Sequence, residues 1–526
     1  MIKKILIISS LLATTAFAAD KQDENWTVSG RLNAYIESVD VDGGGAKSGD
    51  REGTTHNEEL NLNFRGPLGK GKAGVETRLR TTNDDSIQPH GAELLYLKAY
   101  YRDKIWTAEF GDVAASLNPY IFSGSMKGAK AVYKSPEKDH TWNYTVVTGA
   151  KTASWRDLLE DGGDTNPTGY AGAFEAKYIH GRSKEIALSF AALDTHISSS
   201  DKNVSEAKNG YGLGIDGKWR FNKYITLKGR AAFTDGKNDK RVDSSSSNGA
   251  VYVKLLTRPL LKSVKSNFIY QRVDADFVSF GGNANDDKEQ IENSTTWNIN
   301  KEFRTRMDLK YNRNNLDGKA TSGTEDTYYE ALSLIYKPTF LKRSDFTFRV
   351  SNKDTDDNLK DTNRLTAGVD FKLRQKTGWR YGAGYDYSDL DDHNTSSSRT
   401  HIIKALVGYK HKLGKESSYR FSAKPNYQIV ENSQDKIGFK LDAGYVYSKR
   451  LSADIMYMIN DTDYDSSSSS KHTQNATYQF RSTYKLDAKG KNILRLLLEK
   501  RDVDVDLTPD STYNEYKGKV SLVMNF

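Results

Sequence analysis

The sequence predicts an all-β chain, a transmembrane antiparallel up-and-down β-barrel of about 26 strands, with a range of roughly 22 to 28. Three observations carry this. Apolar and polar residues alternate with period two from one end of the chain to the other, which is the spacing of a strand with one apolar face. No 18-residue apolar run follows the N-terminal segment, which excludes helical membrane spans. Connections alternate between short turns and longer Ser/Asp/Asn/Gly-rich loops, the two unlike ends of a membrane barrel.

The chain opens with Lys3 and Lys4, an apolar run from Ile5 to Leu12, and small residues at Ala16 and Ala18 around Phe17. This is the layout of a cleaved secretory signal, expected over residues 1–19, with no Cys to carry a lipid anchor. Residues 20–526 are then expected to form a single barrel domain. Composition agrees. Only 37% of residues are hydrophobic, yet there are 31 Tyr and 11% aromatics, and Cys is absent. A barrel with an apolar outside and a wet inside averages to such a polar, aromatic-rich chain. The missing Cys excludes disulfides, thiolate metal sites and a Cys nucleophile. A net charge of +8 has no clustered basic motif behind it, so nucleic acid is not an expected partner.

In order, the first strand puts Trp26, Val28, Gly30, Leu32, Ala34 and Ile36 on one face. Arg31, Asn33, Tyr35 and Glu37 take the other. Leu60, Leu62 and Phe64 then oppose Glu59, Asn61 and Arg65. Val75 and Leu79 oppose Glu76, Arg78 and Arg80. Later copies are as regular: Ile225, Leu227 and Phe233 against Lys228 and Arg230, and Met307 and Leu309 against Arg304, Arg306 and Asp308. Trp379 to Tyr387 alternates with Arg380 and Asp386, and Tyr419, Phe421 and Ala423 with Arg420 and Lys424. Short connections include Pro67 to Lys72, Arg102 to Lys104, Asn222-Lys223 and Arg374 to Thr377. Long ones include Asp40 to Thr55, Thr195 to Gly210, Asp235 to Asn248, Asp389 to Ser398, Asp461 to Lys471 and Asp502 to Ser511. The short side is expected to be periplasmic and the long side extracellular.

The last strand is read from Tyr516, Gly518, Val520, Leu522, Met524 and Phe526 on one parity against Lys517, Lys519, Ser521 and Asn525 on the other. Here the chain resembles bacterial outer-membrane β-barrels of the porin type, whose final strand alternates in this way and closes on Phe. Gly518 is not at the usual spacing of that family's terminal signal, so the resemblance is to the pattern. It covers the whole mature chain as architecture. It implies that Phe526, Met524, Leu522 and Tyr516 serve barrel closure and recognition by the assembly machinery.

The apolar parity must face lipid, because charge there costs a few kcal/mol at mid-bilayer. Trp26, Trp106, Trp142, Trp219 and Trp379 near strand ends fit interfacial girdles. The other parity is cation-rich. Candidate pore-lining residues are Arg31, Arg65, Arg78, Arg80, Lys98, Lys228, Arg230, Arg304, Arg306, Arg380, Arg420 and Lys424. Fixed positive charge concentrates anions and repels cations. The alternative is a wall of mutually paired Arg and acids.

Among the loops, acid runs at 354–357, 389–392, 461–465 and 502–506 lack the Gly and terminal Glu of a calcium loop and read as solvated surface, with divalent bridging to lipopolysaccharide as the sharper option. Gly111 to Gly128, around Asn118-Pro119-Tyr120, and Trp155 to Glu160 are apolar-tinged; each is either a surface loop or an inward-folding constriction. No catalytic set, phosphate loop or metal motif stands out, so no enzyme activity, cofactor or metal is expected. The expected function is an outer-membrane channel for passive diffusion of small hydrophilic solutes with an anion leaning. The alternative is a dedicated conduit for an acidic oligo- or polysaccharide, or a sheath around a partner such as an electron-transfer protein. Expected partners are outer-membrane lipid and lipopolysaccharide, the assembly machinery, hydrophilic or anionic solutes, and further copies of the chain as a homo-oligomer.

Overall fold

The computed structural model describes residues 26–526, except 44–51, 85–86, 88–90, 138, 152–154, 156–167, 197–208, 238–245, 259–262, 276, 280–286, 317–322, 358–360, 393–396, 415, 465–471 and 507–510. The expected signal segment lies outside the described residues. Twenty-six strands form one closed sheet. They are β1 (Thr27–Gly43), β2 (Gly53–Leu68), β3 (Gly71–Thr82), β4 (Ala92–Arg102), β5 (Trp106–Ser116), β6 (Ser123–Pro136), β7 (His140–Lys151), β8 (Thr168–His180) and β9 (Lys184–His196). Next come β10 (Asn209–Arg220), β11 (Ile225–Lys237), β12 (Ser246–Thr257), β13 (Val264–Val273), β14 (Lys288–Asn298), β15 (Phe303–Asn314), β16 (Glu325–Tyr336), β17 (Ser344–Asp356) and β18 (Asp361–Arg374). The last are β19 (Trp379–Asp392), β20 (Ser398–Lys412), β21 (Ser418–Val430), β22 (Gln434–Val446), β23 (Leu451–Tyr464), β24 (His472–Lys485), β25 (Ile493–Val505) and β26 (Tyr513–Asn525).

Each strand pairs antiparallel with the next, and β26 closes on β1 in a register running from Arg31↔Asn525 to Gly43↔Tyr513. Closure leaves no strand edge in lipid. Phe526 continues the ladder: its N–H donates to the Gly30 carbonyl at 3.0 Å, and its carbonyl accepts from the Gly30 N–H at 2.8 Å. Its ring lies over Gly30, where a Cβ would come within 2.2 Å of the ring carbon Cζ. The bare backbone of Gly30 therefore seats the terminal aromatic.

Side chains follow the alternation. Phe110, Val146, Leu188, Ile215, Phe233, Leu332 and Ile455 stand exposed on the outer surface. Aromatics gather at both ends of this apolar band. On the short-turn side Trp26 stacks on Phe64 at 4.7 Å, Trp142 on Tyr144 at 6.0 Å and Trp379 on Tyr381 at 6.0 Å. On the long-loop side Tyr311 meets Tyr328 at 5.0 Å and Tyr457 meets Tyr478 at 4.9 Å. Amphipathic rings favour both membrane interfaces. The short turns are chemically defined: in the turn after β4, the Asp103 carboxylate accepts the Ile105 and Trp106 backbone N–H groups at 2.7 and 2.6 Å, and these bonds hold its pKa below the usual range.

The strands run further outward than the sequence predicts. β19 extends to Asp392, β23 to Tyr464 and β25 to Val505, so most of each acid run read as loop is strand. The ladder needs no apolar side chains once it leaves lipid. Alternation then sends every second acid of a run to the opposite face, so only alternate members of a run share a side of the wall.

The register sets a depth scale. Trp219 is level with Leu227, Ile215 with Ala231 and Tyr211 with Asp235, so Ile215 lies midway between the two girdles. Ile215→Arg is expected to cost about 2–4 kcal/mol of barrel stability, and Leu227→Arg, at the girdle, about 0–1 kcal/mol. Thr226→Arg, on the inner face, should assemble normally. Urea-titrated folding into vesicles checks this order; equal stabilities for the Ile215 and Thr226 variants would refute the face assignment.

Candidate functional site

The lumen is the candidate site, and a hairpin partly fills it. β5 pairs with β4 only from Thr107 to Gly111. At Gly111 φ is +96°, and a Cβ there would sit 2.2 Å from the Leu97 carbonyl oxygen, so only glycine makes this break. Beyond it β5 stays with β6, as far as Ser116↔Ser123. The Asp112 carboxylate takes over as partner for the β4 edge. It accepts the Leu97 N–H at 2.6 Å and the Trp155 indole N–H at 2.7 Å, and it pairs with the Lys127 ammonium.

The tip, Leu117 to Phe122, turns on its own Asn118. The Asn118 carbonyl accepts from Ile121 and Phe122 N–H at 3.0 and 2.9 Å, and its side-chain oxygen accepts from Tyr120 N–H at 3.0 Å. The Asn118 amide then donates to the carbonyls of Ala231 at 3.2 Å and Ile215 at 3.4 Å, in the opposing wall. The wall is shaped to receive it. Ala171, Ala173, Ala191, Ala232 and Ala250 are buried beneath the tip, and a Cβ on Gly214 would come within 2.6 Å of Ile121 Cδ1. Val113, Ile121 and Phe122 are completely or almost completely buried. A second segment joins them: Phe277 meets Tyr120 edge-on at 6.3 Å, and the Val278 N–H donates to Thr234 Oγ1 at 3.3 Å.

Of the two stretches the sequence offers as constrictions, Gly111 to Gly128 therefore folds inward. Of Trp155 to Glu160, only Trp155 is described. The Phe277 and Val278 contribution was missed, although an apolar pair inside a polar connection was its signal.

All twelve candidate pore-lining cations lie on the face opposite the exposed apolar one, in two classes. Six have carboxylate partners: Arg80 with Glu59 at 2.5 Å, Lys98 with Glu76 at 3.3 Å, Arg230 with Asp216 at 3.0 Å, Arg306 with Asp308 at 2.7 Å, Arg420 with Asp454 at 2.6 Å and Lys424 with Asp442 at 2.9 Å. Six have none among the described residues. Arg31 donates to Asn33 Oδ1 at 2.9 Å, Arg78 to Asn61 Oδ1 at 3.0 Å and Arg65 to Thr27 Oγ1 at 3.4 Å. These neutral oxygens orient the guanidinium groups without cancelling their charge. Lys228 stands between Lys218 and Lys254 in direct cross-strand register, and Arg380 stands opposite Arg374. Arg304, one residue into β15, completes the set. Like charges placed directly opposite are destabilising, and at both positions they face the lumen near the short-turn end. Outside the lumen, Asp461, Asp463 and His472 bring ligand-type atoms within 4.8 Å of one another on the outer face of the extracellular rim. His472 Nε2 is 2.5 Å from Asp461 Oδ1, a half-buried pair, and Nδ1 lies 3.9 Å from Asp506 Oδ1.

No protein-family model matches the chain, and no curated protein matches its sequence. Among solved structures, the siderophore receptor PirA from Pseudomonas aeruginosa is 9% identical over 96% of this chain and 81% of its own, with a TM-score of 0.42. The translocation pore of the P pilus usher PapC is 10% identical over 94% and 99%, with a TM-score of 0.37. A BenF-like porin from Pseudomonas fluorescens Pf-5 is 8% identical over 96% and 99%, with a TM-score of 0.32. By its own closed register, paired aromatic girdles, short periplasmic turns and longer extracellular loops, the chain has the porin-like architecture of a bacterial outer-membrane β-barrel, with no particular subfamily indicated.

Proposed function

We propose that this barrel is an outer-membrane channel for passive diffusion of small hydrophilic solutes, with a preference for anions. The observation that carries the reading is the set of inward Arg and Lys groups held by neutral oxygens or facing one another, above all Arg31, Arg65 and Arg78. A purely structural lumen would pair them with carboxylates, as it does Arg80 and Arg306. Uncompensated charge in a water-filled passage raises the local anion concentration. The inward hairpin adds to the effect, because narrowing brings solutes closer to charges whose reach is roughly 8 Å at physiological salt.

On this reading the chain is exported through its N-terminal signal and inserted by the assembly machinery. Its outer face meets lipid and lipopolysaccharide, either as a single barrel or as a homo-oligomer. A sheath around a folded partner protein is the weaker alternative, since the hairpin already occupies the lumen against the wall from β7 to β13. Planar-bilayer recording tests the proposal. Ion conductance with a zero-current potential displaced toward anions in a KCl gradient is expected. A properly folded barrel that conducts no ions would overturn it in favour of the conduit.

A further inference from the structure

The inner wall from β16 to β20 holds a cavity of about 260 Å³ that neither the hairpin nor the free arginines explain. Its floor is one row of directly paired residues, Ala331↔Ser351↔Thr366↔Ser388↔Thr400. Four of the five carry hydroxyls, and Ser351 Oγ and Thr366 Oγ1 are 2.5 Å apart. The periplasmic lip is a charge network. Arg349 bridges Asp370 at 2.6 Å and Asp386 at 2.8 Å, and Lys404 also pairs with Asp386. Two cations and two carboxylates cancel, so this lip offers oriented hydrogen-bonding groups with no net charge. Gly368 makes the bridge feasible: a Cβ there would sit 2.3 Å from Asp386 Oδ1 and 3.1 Å from the Arg349 guanidinium.

The extracellular lip differs. Tyr329 lines the cavity, and one register step away Lys353 and Arg364 stand directly opposite each other. Among the described residues neither has a carboxylate partner. Hydroxyls below and uncompensated cations above call for a solute that is itself polar along its length and anionic at one end. The volume falls just below the usual range of roughly 300–1,000 Å³ for ligand cavities, which limits the recess to a single sugar-sized molecule.

We infer that this recess is a subsite for a small polyhydroxylated anion, a sugar acid or sugar phosphate, whose hydroxyls lie on the Ser351–Thr400 row and whose anionic group meets Lys353 and Arg364. The inference rests on the channel reading and names a solute class for it. A carboxylate and a phosphate share the recognition chemistry, since Arg and Lys accept both through charge-assisted hydrogen bonds.

The test is saturation-transfer NMR on the purified barrel in detergent, with gluconate, glucose 6-phosphate, glucose and acetate as probes. One or both of the polyhydroxylated anions should bind about tenfold more tightly than glucose and than acetate; which of them does so separates the sugar acid from the sugar phosphate. Lys353→Gln with Arg364→Gln should remove the advantage over glucose. Ser351→Leu with Thr366→Leu should remove binding, and Ser388→Leu provides a second filled recess should the pair fail to assemble. The inference is overturned if neither anion outbinds both controls, or if the filled recess binds as wild type does. Binding is read without conduction, so a conducting barrel that fails here loses this subsite alone, and a binding barrel that does not conduct loses the channel reading.

Discussion

Replacing Leu117 to Phe122 by Asn-Gly should raise single-channel conductance roughly twofold or more, because it removes the part of the hairpin that crosses the lumen. Ser116 and Ser123 are paired directly, so a two-residue turn closes the shortened hairpin without disturbing its stem. The energetics of the native tip are finely balanced. Burial of Leu117, Tyr120, Ile121 and Phe122 supplies roughly 6–12 kcal/mol. Ordering six residues of backbone costs about the same. The Asn118 bonds to the wall and the contact with Phe277 then decide whether the tip docks. Ile121→Ala, worth about 2–5 kcal/mol in a packed site, should therefore give a barrel of normal assembly whose current flickers between two levels. Conductance unchanged in the Asn-Gly variant would show that the tip does not limit the passage.

The parts of this design that the sequence showed are those written in local pattern. Two-residue periodicity located the strands, and the alternation from Tyr516 to Met524 marked the strand that meets β1. The constriction was visible as an apolar stretch, with Pro119, Tyr120, Ile121 and Phe122 where most connections are polar. Its direction was not visible, because that depends on the alanines of β8, β9, β11 and β12 and on Gly214 being brought opposite it. Strand ends were misjudged where Asp389 to Asp392 and Asp461 to Tyr464 read as loop, since solvation permits acids that the backbone ladder still pairs.

The pairing state of the lumen charges was the least legible feature. Glu59 and Arg80 are far apart in sequence and meet only through the β2–β3 register, while Asn61, on the same strand and face, meets Arg78. Both arginines sit in the same local pattern. One is neutralised and the other is not, and a one-residue slip in register would exchange the inner face for the outer. The row Ala331 to Thr400 was hidden for the same reason, because it exists only across five strands.

Converting Arg31, Arg65 and Arg78 together to Gln is expected to move the zero-current potential toward cations, with the anion-to-cation permeability ratio falling roughly twofold at 0.1 M salt. The three side chains donate to Asn33, Thr27 and Asn61, so their loss leaves no carboxylate without a partner, and assembly should be normal. The control is a charge swap, Glu59→Arg with Arg80→Glu, which preserves the pair and the local sum of charge. It should leave selectivity unchanged, whereas a channel that read every arginine equally would shift. The displacement in the triple variant should shrink as salt rises, since the reach of a fixed charge falls from about 10 Å at 0.1 M to about 3 Å at 1 M. A triple variant with wild-type selectivity at low salt would mean that these arginines lie outside the ion path, and the anion preference would then have to rest on Lys228 and Lys254 near the periplasmic mouth, since Lys218 beside them is paired with Glu185.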